Sequence, residues 1–250
     1  MQSFLSEILR KTGIPRDQSV LVVCGGAFDR DALLEEGYTA VTISNLDDRV
    51  RDDEFAPFAW SFQDAEALSF PDRSFDYCIV HAGLHHCASP HRALLEMYRV
   101  ARHGVLAFEA RDSLMMRMAV RARRVPVYET CAVRFHNFRY GGVRNTCVPN
   151  YIYRWTETEV EKTIASYAPH APHHIRYYYG LRIPEERLPF ASNARLQWLS
   201  GGAKRLLEFS TRLFRKQGNL FAFFIEKPEG TALFPWLKSQ TEFDPRYQGI

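Results

Sequence analysis

No C-x-x-C pair occurs anywhere in these 250 residues, and the five cysteines, Cys24, Cys78, Cys87, Cys131 and Cys147, are odd in number and scattered. That usage speaks against a disulfide framework or a zinc ribbon, so we expect a reducing, cytoplasmic setting and no metal. Long apolar runs are also missing. The longest late one, Leu220 to Ile225, falls far short of the roughly 20 residues that a membrane span needs. Residues 1–14 lack the extended apolar stretch of a secretory signal. Charge of one sign is scarce: Lys plus Arg total 32 against 29 Asp plus Glu, a net charge of +3. So small an excess gives no reason to expect a nucleic-acid partner. There is no P-loop, no H-E-x-x-H, no Ser-His-Asp order, and no full G-x-G-x-x-G after the first strand. Kinase, metalloprotease, hydrolase and nicotinamide-binding readings therefore lack support. Internal repeats and low-complexity segments are absent as well.

What is present fits one α/β domain over residues 1–250. The hydrophobic fraction of 46% supports a core, and the charged fraction of 24% is ordinary. Phe4 to Arg10 reads as an amphipathic helix with Phe4, Leu5, Ile8 and Leu9 inward, ended by Gly13 and Pro15. Ser19 to Val23 is a continuous apolar run, suited to a parallel strand buried on both faces. The turn Cys24-Gly-Gly-Ala-Phe-Asp29 follows, then a helix over 30–36 closed by Gly37. Further strands are predicted over 38–44, 60–64, 75–81 and 105–110, with a helix over 90–101. Such alternation builds a parallel sheet with helices on both faces.

Beyond Arg111 the pattern changes. Residues 112–155 are rich in Arg, Met and aromatics and have no clean period, so they read as an insert rather than a second domain. The core is expected over 14–111 and 156–228, with a tail over 229–250. Thr156, with Glu159 three residues on, makes a capping box for a helix over 156–166. Strands are predicted over 175–179 and 220–226, with a basic amphipathic helix over 203–216 between them.

The chemistry is concentrated in one stretch. Asp64-Ala-Glu-Ala-Leu-Ser-Phe-Pro-Asp-Arg-Ser-Phe-Asp76 leads into a strand, then Leu84-His-His86, then Arg92-Ala-Leu-Leu-Glu-Met-Tyr-Arg-Val100. Over roughly residues 20–110 the chain resembles the class I S-adenosylmethionine (SAM)-dependent methyltransferases, particularly the group related to the ubiquinone/menaquinone C-methyltransferases. The resemblance implies a Rossmann-like, seven-stranded, mostly parallel sheet in the order 3-2-1-4-5-7-6, with helices on both faces and an insert after strand five. It also implies SAM as cofactor, held by Cys24, Gly25, Gly26, Asn45, Asp64, Ala65, His81 and Ala82. In that scheme Asn45 faces the ribose hydroxyls and Asp64 the adenine amine, while His81 and Ala82 lie near the methyl group. The chain departs from the family pattern at Val22, where an acid is usual, at Phe28, where the last glycine falls, and at Asn45, which replaces an acid.

His85 and His86 are the catalytic candidates, because an oxygen nucleophile must lose a proton and imidazole titrates near neutrality. Packing or capping is the open alternative for both. On the acceptor side, Arg134, His136, Tyr140, Tyr151 and Trp155 combine cations with aromatics and suit an anionic, planar or sugar substrate. An aromatic lid with solvated arginines is the alternative there. The expected activity is methyl transfer to a small-molecule or saccharide/lipid-linked acceptor, with oxygen favoured as the receiving atom. The competing expectation is a noncatalytic binding or scaffold protein of the same fold with a weakened SAM site. The basic stretches over 115–124 and 203–216 add peripheral membrane contact as a further expectation.

Overall fold

The computed structural model describes residues 2–51, 53–182, 214–228 and 232–249, apart from the side chains of residues 2 and 3. The first half alternates as expected. Helix α1 (Gln2–Thr12) precedes β1 (Val20–Val23), α2 (Ala27–Glu35), β2 (Val41–Asn45) and β3 (Ala59–Phe62). Then come β4 (Phe75–His81), α3 (Pro90–Val100) and β5 (Ala101–Arg111). Ser89 caps α3 by accepting the Arg92 N–H, and Pro90 takes a first-turn position that needs no donor. β2 starts later than the apolar pattern suggested because Tyr38 closes α2 instead, its N–H bonded to the Leu33 carbonyl. β5 starts earlier. Arg102, His103 and Gly104 mask its first residues as polar, yet Phe75 already pairs with Ala101.

The second half carries α4 (Leu114–Arg121), α5 (Thr130–Phe135), β6 (Arg154–Trp155), α6 (Glu157–Tyr167), β7 (His174–Gly180) and β8 (Leu220–Glu226). A small hairpin, β9 (Leu237–Ser239) and β10 (Glu242–Phe243), follows. α6 begins with the expected capping box between Thr156 and Glu159. The helix predicted over 203–216 lies outside the described residues over 203–213; residues 215–217 form a single 3-10 turn.

The sheet order is β3-β2-β1-β4-β5-β8-β7, with the two-residue β6 paired in parallel to the end of β5. β8 runs antiparallel to both its neighbours. With β6 set aside, this is the expected order 3-2-1-4-5-7-6. Side chains alternate between the two faces. Leu21, Val23, Cys78, Val80, Val105 and Ala107 pack with α3 and α6, while Val20, Val22, Ile79, Leu106 and Phe108 pack with α1 and α2. Strands covered on both faces need continuous apolar runs, which is why β1 reads as Val-Leu-Val-Val. β1 pairs with β2 on one side and β4 on the other. The order in which strands are added across the sheet therefore reverses there, and a crevice opens beyond the carboxyl ends of these strands. No helix among the described residues is long and apolar enough to cross a membrane.

Candidate active site

Two sharp turns build the floor of that crevice. Cys24 leaves β1 with φ 54° and Ala82 leaves β4 with φ 53°, both left-handed without being glycine. Such conformations cost about 1–3 kcal/mol and persist where surrounding structure enforces them, commonly at functional sites. Glycines let the turns close up. A Cβ on Gly25 would stand 2.7 Å from Val22 Cγ1, and one on Gly83 would stand 2.5 Å from Cys24 Cβ. Val22 is fully buried and packs against that turn, so the position where the family usually has an acid is core here.

Above the turns lies a cavity of about 380 Å³, within the roughly 300–1,000 Å³ range of small-molecule sites. Cys24, Asn45, Asp64, Ala65 and Ala82 line it, as do Gln63, Glu66 and Cys87. Gly25 supports the wall from behind, its N–H bonded to the Ser44 carbonyl at 2.9 Å, and Gly26 has open space where a Cβ would be. Asn45 ties the ends of β1 and β2 together. Its Nδ2 donates to the Gly25 carbonyl at 2.7 Å, and its Oδ1 accepts the Asp47 N–H at 2.9 Å.

His81 is not on this wall. Its Nδ1 lies 3.3 Å from Asp29 Oδ1, and its ring stacks on Phe28 at 5.0 Å between centroids. Phe28 therefore covers His81 at the place where the family pattern has its last glycine. Asp29 caps α2 through the Gly26 N–H rather than entering the cavity.

The insert forms the opposite wall. The turn over 141–146 brings Arg144 across the opening, where Nη2 meets Asp64 Oδ2 at 2.7 Å and Nη1 approaches Glu66 Oε2 at 3.4 Å. Asn145 donates to the Leu46 carbonyl at 3.1 Å. Both residues are left-handed, Arg144 at φ 50° and Asn145 at φ 57°. No periodicity signals a turn of this kind. Only Gly141-Gly142 and Asn145 hint at one.

Beside the cavity stands an imidazole–carboxylate cluster. Glu109, at the end of β5, is wholly buried. It accepts the Leu84 N–H at 2.7 Å through Oε1, and its Oε2 lies 2.9 Å from His85 Nδ1. The other ring nitrogen, Nε2, is 3.2 Å from Glu129 Oε2. Burial alone would lower the His85 pKa, but Glu109 and Glu129 outweigh it and raise it to about 10. Between these two carboxylates His85 is thus an imidazolium at neutral pH and not a free base. The hydrogen bond from His85, acting against burial, holds Glu129 at about 2. His86 differs: burial and the neighbouring His85 charge push its pKa down, and it lines the cavity. Glu129 is the member that the sequence reading missed. It is far from Leu84-His-His86 in the chain and belongs to no motif.

The acceptor candidates scatter. His136 lines the cavity and stacks on Tyr140 at 4.2 Å, and the Arg49 guanidinium lies over the Tyr140 ring at 3.0 Å. Tyr140 therefore buttresses the wall. Arg134 is exposed and does not border the cavity. Tyr151 is 51% exposed and meets Tyr128 edge-on at 5.7 Å, also away from the cavity. Trp155 corrects the expectation most clearly. It is fully buried, packed on Phe223 at 5.7 Å, so it is a core residue and not a substrate contact. Sitting next to a helix cap at the end of the aromatic insert, it could not be told from a lid residue by composition.

With the geometry in place, the likenesses to known proteins have a physical meaning. Residues 22–108 match the family described as a methyltransferase domain. None of the curated proteins matches the chain in sequence. Among solved structures, a SAM-dependent methyltransferase of Thermotoga maritima superposes with a TM-score of 0.51 at 12% identity, covering 90% of this chain and 89% of that one. The YcgJ protein of Bacillus subtilis gives 0.55 at 11% identity, covering 92% and 100%. Magnesium protoporphyrin IX methyltransferase of Synechocystis, with bound S-adenosylhomocysteine, gives 0.50 at 11%, covering 91% and 82%. At these identities the structures share the fold. Residues 22–108 thus match a methyltransferase domain within a chain of the same fold, and S-adenosyl-L-methionine is the cofactor which that match indicates.

Proposed function

We propose that the chain transfers the methyl group of SAM to an oxygen of a small-molecule or saccharide/lipid-linked acceptor. The observation that carries this reading is the cavity, lined by Asn45 and Asp64 and also by His86 and His136. The site fits the cofactor chemically. The tight turns at Gly25 and Gly83 bring backbone to the cavity floor, and the Asn45 amide and Asp64 carboxylate on the lining are group types that bond hydroxyls and an amine. When bound, SAM would supply a methyl group on a sulfonium sulfur, the S–CH3 bond breaking as the acceptor bond forms and S-adenosylhomocysteine departing as the neutral thioether.

The remaining work falls to the chain. Positioning dominates such a transfer, because the nucleophile must lie in line with the bond that breaks. Asp64 and Asn45 orient the nucleoside end, and the left-handed turns at Cys24 and Ala82 fix the floor. The turn at 141–146 closes over the opening and limits water entry. A hydroxyl nucleophile also loses its proton, and His86, held 3.5 Å from Glu129 Oε2, is the cluster member facing the cavity. A lipid-linked acceptor is favoured by α4, where Leu114 and Met118 are 62% and 63% exposed on one face, next to Arg117 and Arg121.

The test is transfer of labelled methyl from SAM to hydroxylated sugars and their lipid-linked forms, with the product bond identified. A methyl ether or ester supports the reading. Label on nitrogen or carbon overturns the oxygen assignment. A second reading, a binding protein without turnover, draws on one observation: Arg144 occupies Asp64 and thereby competes with the cofactor for it. SAM binding without transfer to any acceptor would favour that reading.

A further inference from the structure

We propose that His85, His86 and Glu129 form a binding site for a divalent transition-metal ion, zinc in the first instance, with an open coordination position facing the cavity. The candidate ligand atoms all lie within 4.8 Å of one another. Nε2 of His85 is 3.2 Å and Nε2 of His86 3.5 Å from the same oxygen, Glu129 Oε2. A tetrahedral zinc ion with bonds of about 2.0–2.2 Å holds its ligand atoms about 3.3–3.5 Å apart. Two ring nitrogens converging on one oxygen is poor hydrogen bonding, since 3.5 Å exceeds the ordinary N–H···O range. It is ordinary spacing around a shared cation.

The surroundings agree. Metal-bound histidines usually donate their other ring N–H to a carboxylate, which fixes the tautomer and turns the lone pair toward the ion. Glu109 does this for His85 at 2.9 Å and is itself anchored by the Leu84 N–H at 2.7 Å. Asn150, 2% exposed, donates to Glu129 Oε2 at 3.2 Å and steadies that ligand. Charge points the same way. Glu109 and Glu129 are two carboxylates whose ion-pair partners among the described residues are histidines. A dication with two neutral imidazoles balances both. Two nitrogens and one oxygen suit zinc, and also cobalt and nickel.

His85 and Glu109 close the buried side, and His86 borders the cavity. A fourth ligand therefore enters from the cavity, as water or as the hydroxyl of an acceptor, whose proton the cation loosens. His86 then ligates the ion rather than accepting the proton. The expectation of no metal rested on the scattered cysteines and the lack of an H-E-x-x-H motif, and adjacent histidines with one remote Glu fall outside both patterns.

The site is tested on the full chain, stripped with EDTA and titrated with Co2+ alone. We expect a single equivalent to bind with visible d–d absorption of low coordination number. Glu109→Gln should weaken binding about 10–100-fold, and His86→Ala and Glu129→Gln by more. Zn2+ should raise the melting temperature of the wild type and not of His86→Ala. His86 is partly exposed, so this variant should fold, and its metal-free circular dichroism checks that it does. No retained Co2+ and no visible band overturns the proposal, as does binding that survives unchanged in both His86→Ala and Glu129→Gln. SAM binding, measured on the same stripped protein, separates the two readings: cobalt without SAM leaves the metal site standing, and SAM without cobalt removes it alone.

Discussion

At the scale of single residues, the turns after β1 and β4 abut with no room for a further carbon. Gly83 abuts Cys24 because a Cβ would come within 2.5 Å of Cys24 Cβ and 2.9 Å of Val80 Cγ2. Gly83→Ala should therefore destabilise the fold by about 1–3 kcal/mol, the usual cost of overpacking. A melting temperature equal to wild type would show that the turns can part freely. Arg144 has the opposite character. It is half exposed and holds Asp64 in an ion pair. Arg144→Ala should free that carboxylate and tighten SAM binding by up to about fivefold, since such pairs are worth at most about 1 kcal/mol. Weaker binding measured by calorimetry would mean that Arg144 itself contacts the cofactor. Gly25, Asn45 and Asp64 were legible from the motif that carries them. Arg144 and Glu129 were not, because each reaches the site across a long stretch of chain without a pattern.

Among the elements, legibility followed periodicity. β4 and β8 were read to the residue because an apolar run bounded by polar residues leaves no choice of limits. α6 announced itself through its capping box. The insert did not, because turns and short helices hold it rather than a repeating face. Five of its non-glycine residues, Arg123, Asn137, Phe138, Arg144 and Asn145, are left-handed. Propensity gives little sign of that when none of the five is glycine. Within the insert, α4 has no buried residue and shows Leu114 and Met118 outward. If this face meets lipid, the protein should co-float with vesicles rich in anionic lipid, and less so after Leu114→Ser with Met118→Ser. Equal recovery of wild type and double variant would remove the membrane reading and leave a soluble acceptor.

Across the whole molecule, one polar knot joins the insert-side helix to the sheet. Arg111 at the end of β5 pairs with Glu157 of α6 at 2.8 Å, and Tyr179 of β7 donates to Glu157 at 2.7 Å. Burial alone would raise the Glu157 pKa, but its own backbone N–H, Tyr179 and Arg111 outweigh this and hold it at about 2. A carboxyl held below its unfolded value adds stability above that value. The contribution fades as pH falls from about 4.5 toward about 2. Glu157→Gln should therefore lose less melting temperature than wild type between about pH 5 and about pH 3. Parallel curves would place the acid sensitivity elsewhere.

The Glu109 carboxylate described above also has a kinetic signature. Because its Oε1 holds the Leu84 amide at 2.7 Å inside a wholly buried pocket, that one amide becomes an isotopic clock for the site. Its proton should exchange with deuterated solvent at a rate set by opening of the Glu109–His85 arm, and more slowly still when that arm is locked from the cavity side. A Leu84 amide that exchanged as fast as those of surface turns would show that the arm swings free. The integrity of this wall could then be followed by exchange alone, without any acceptor.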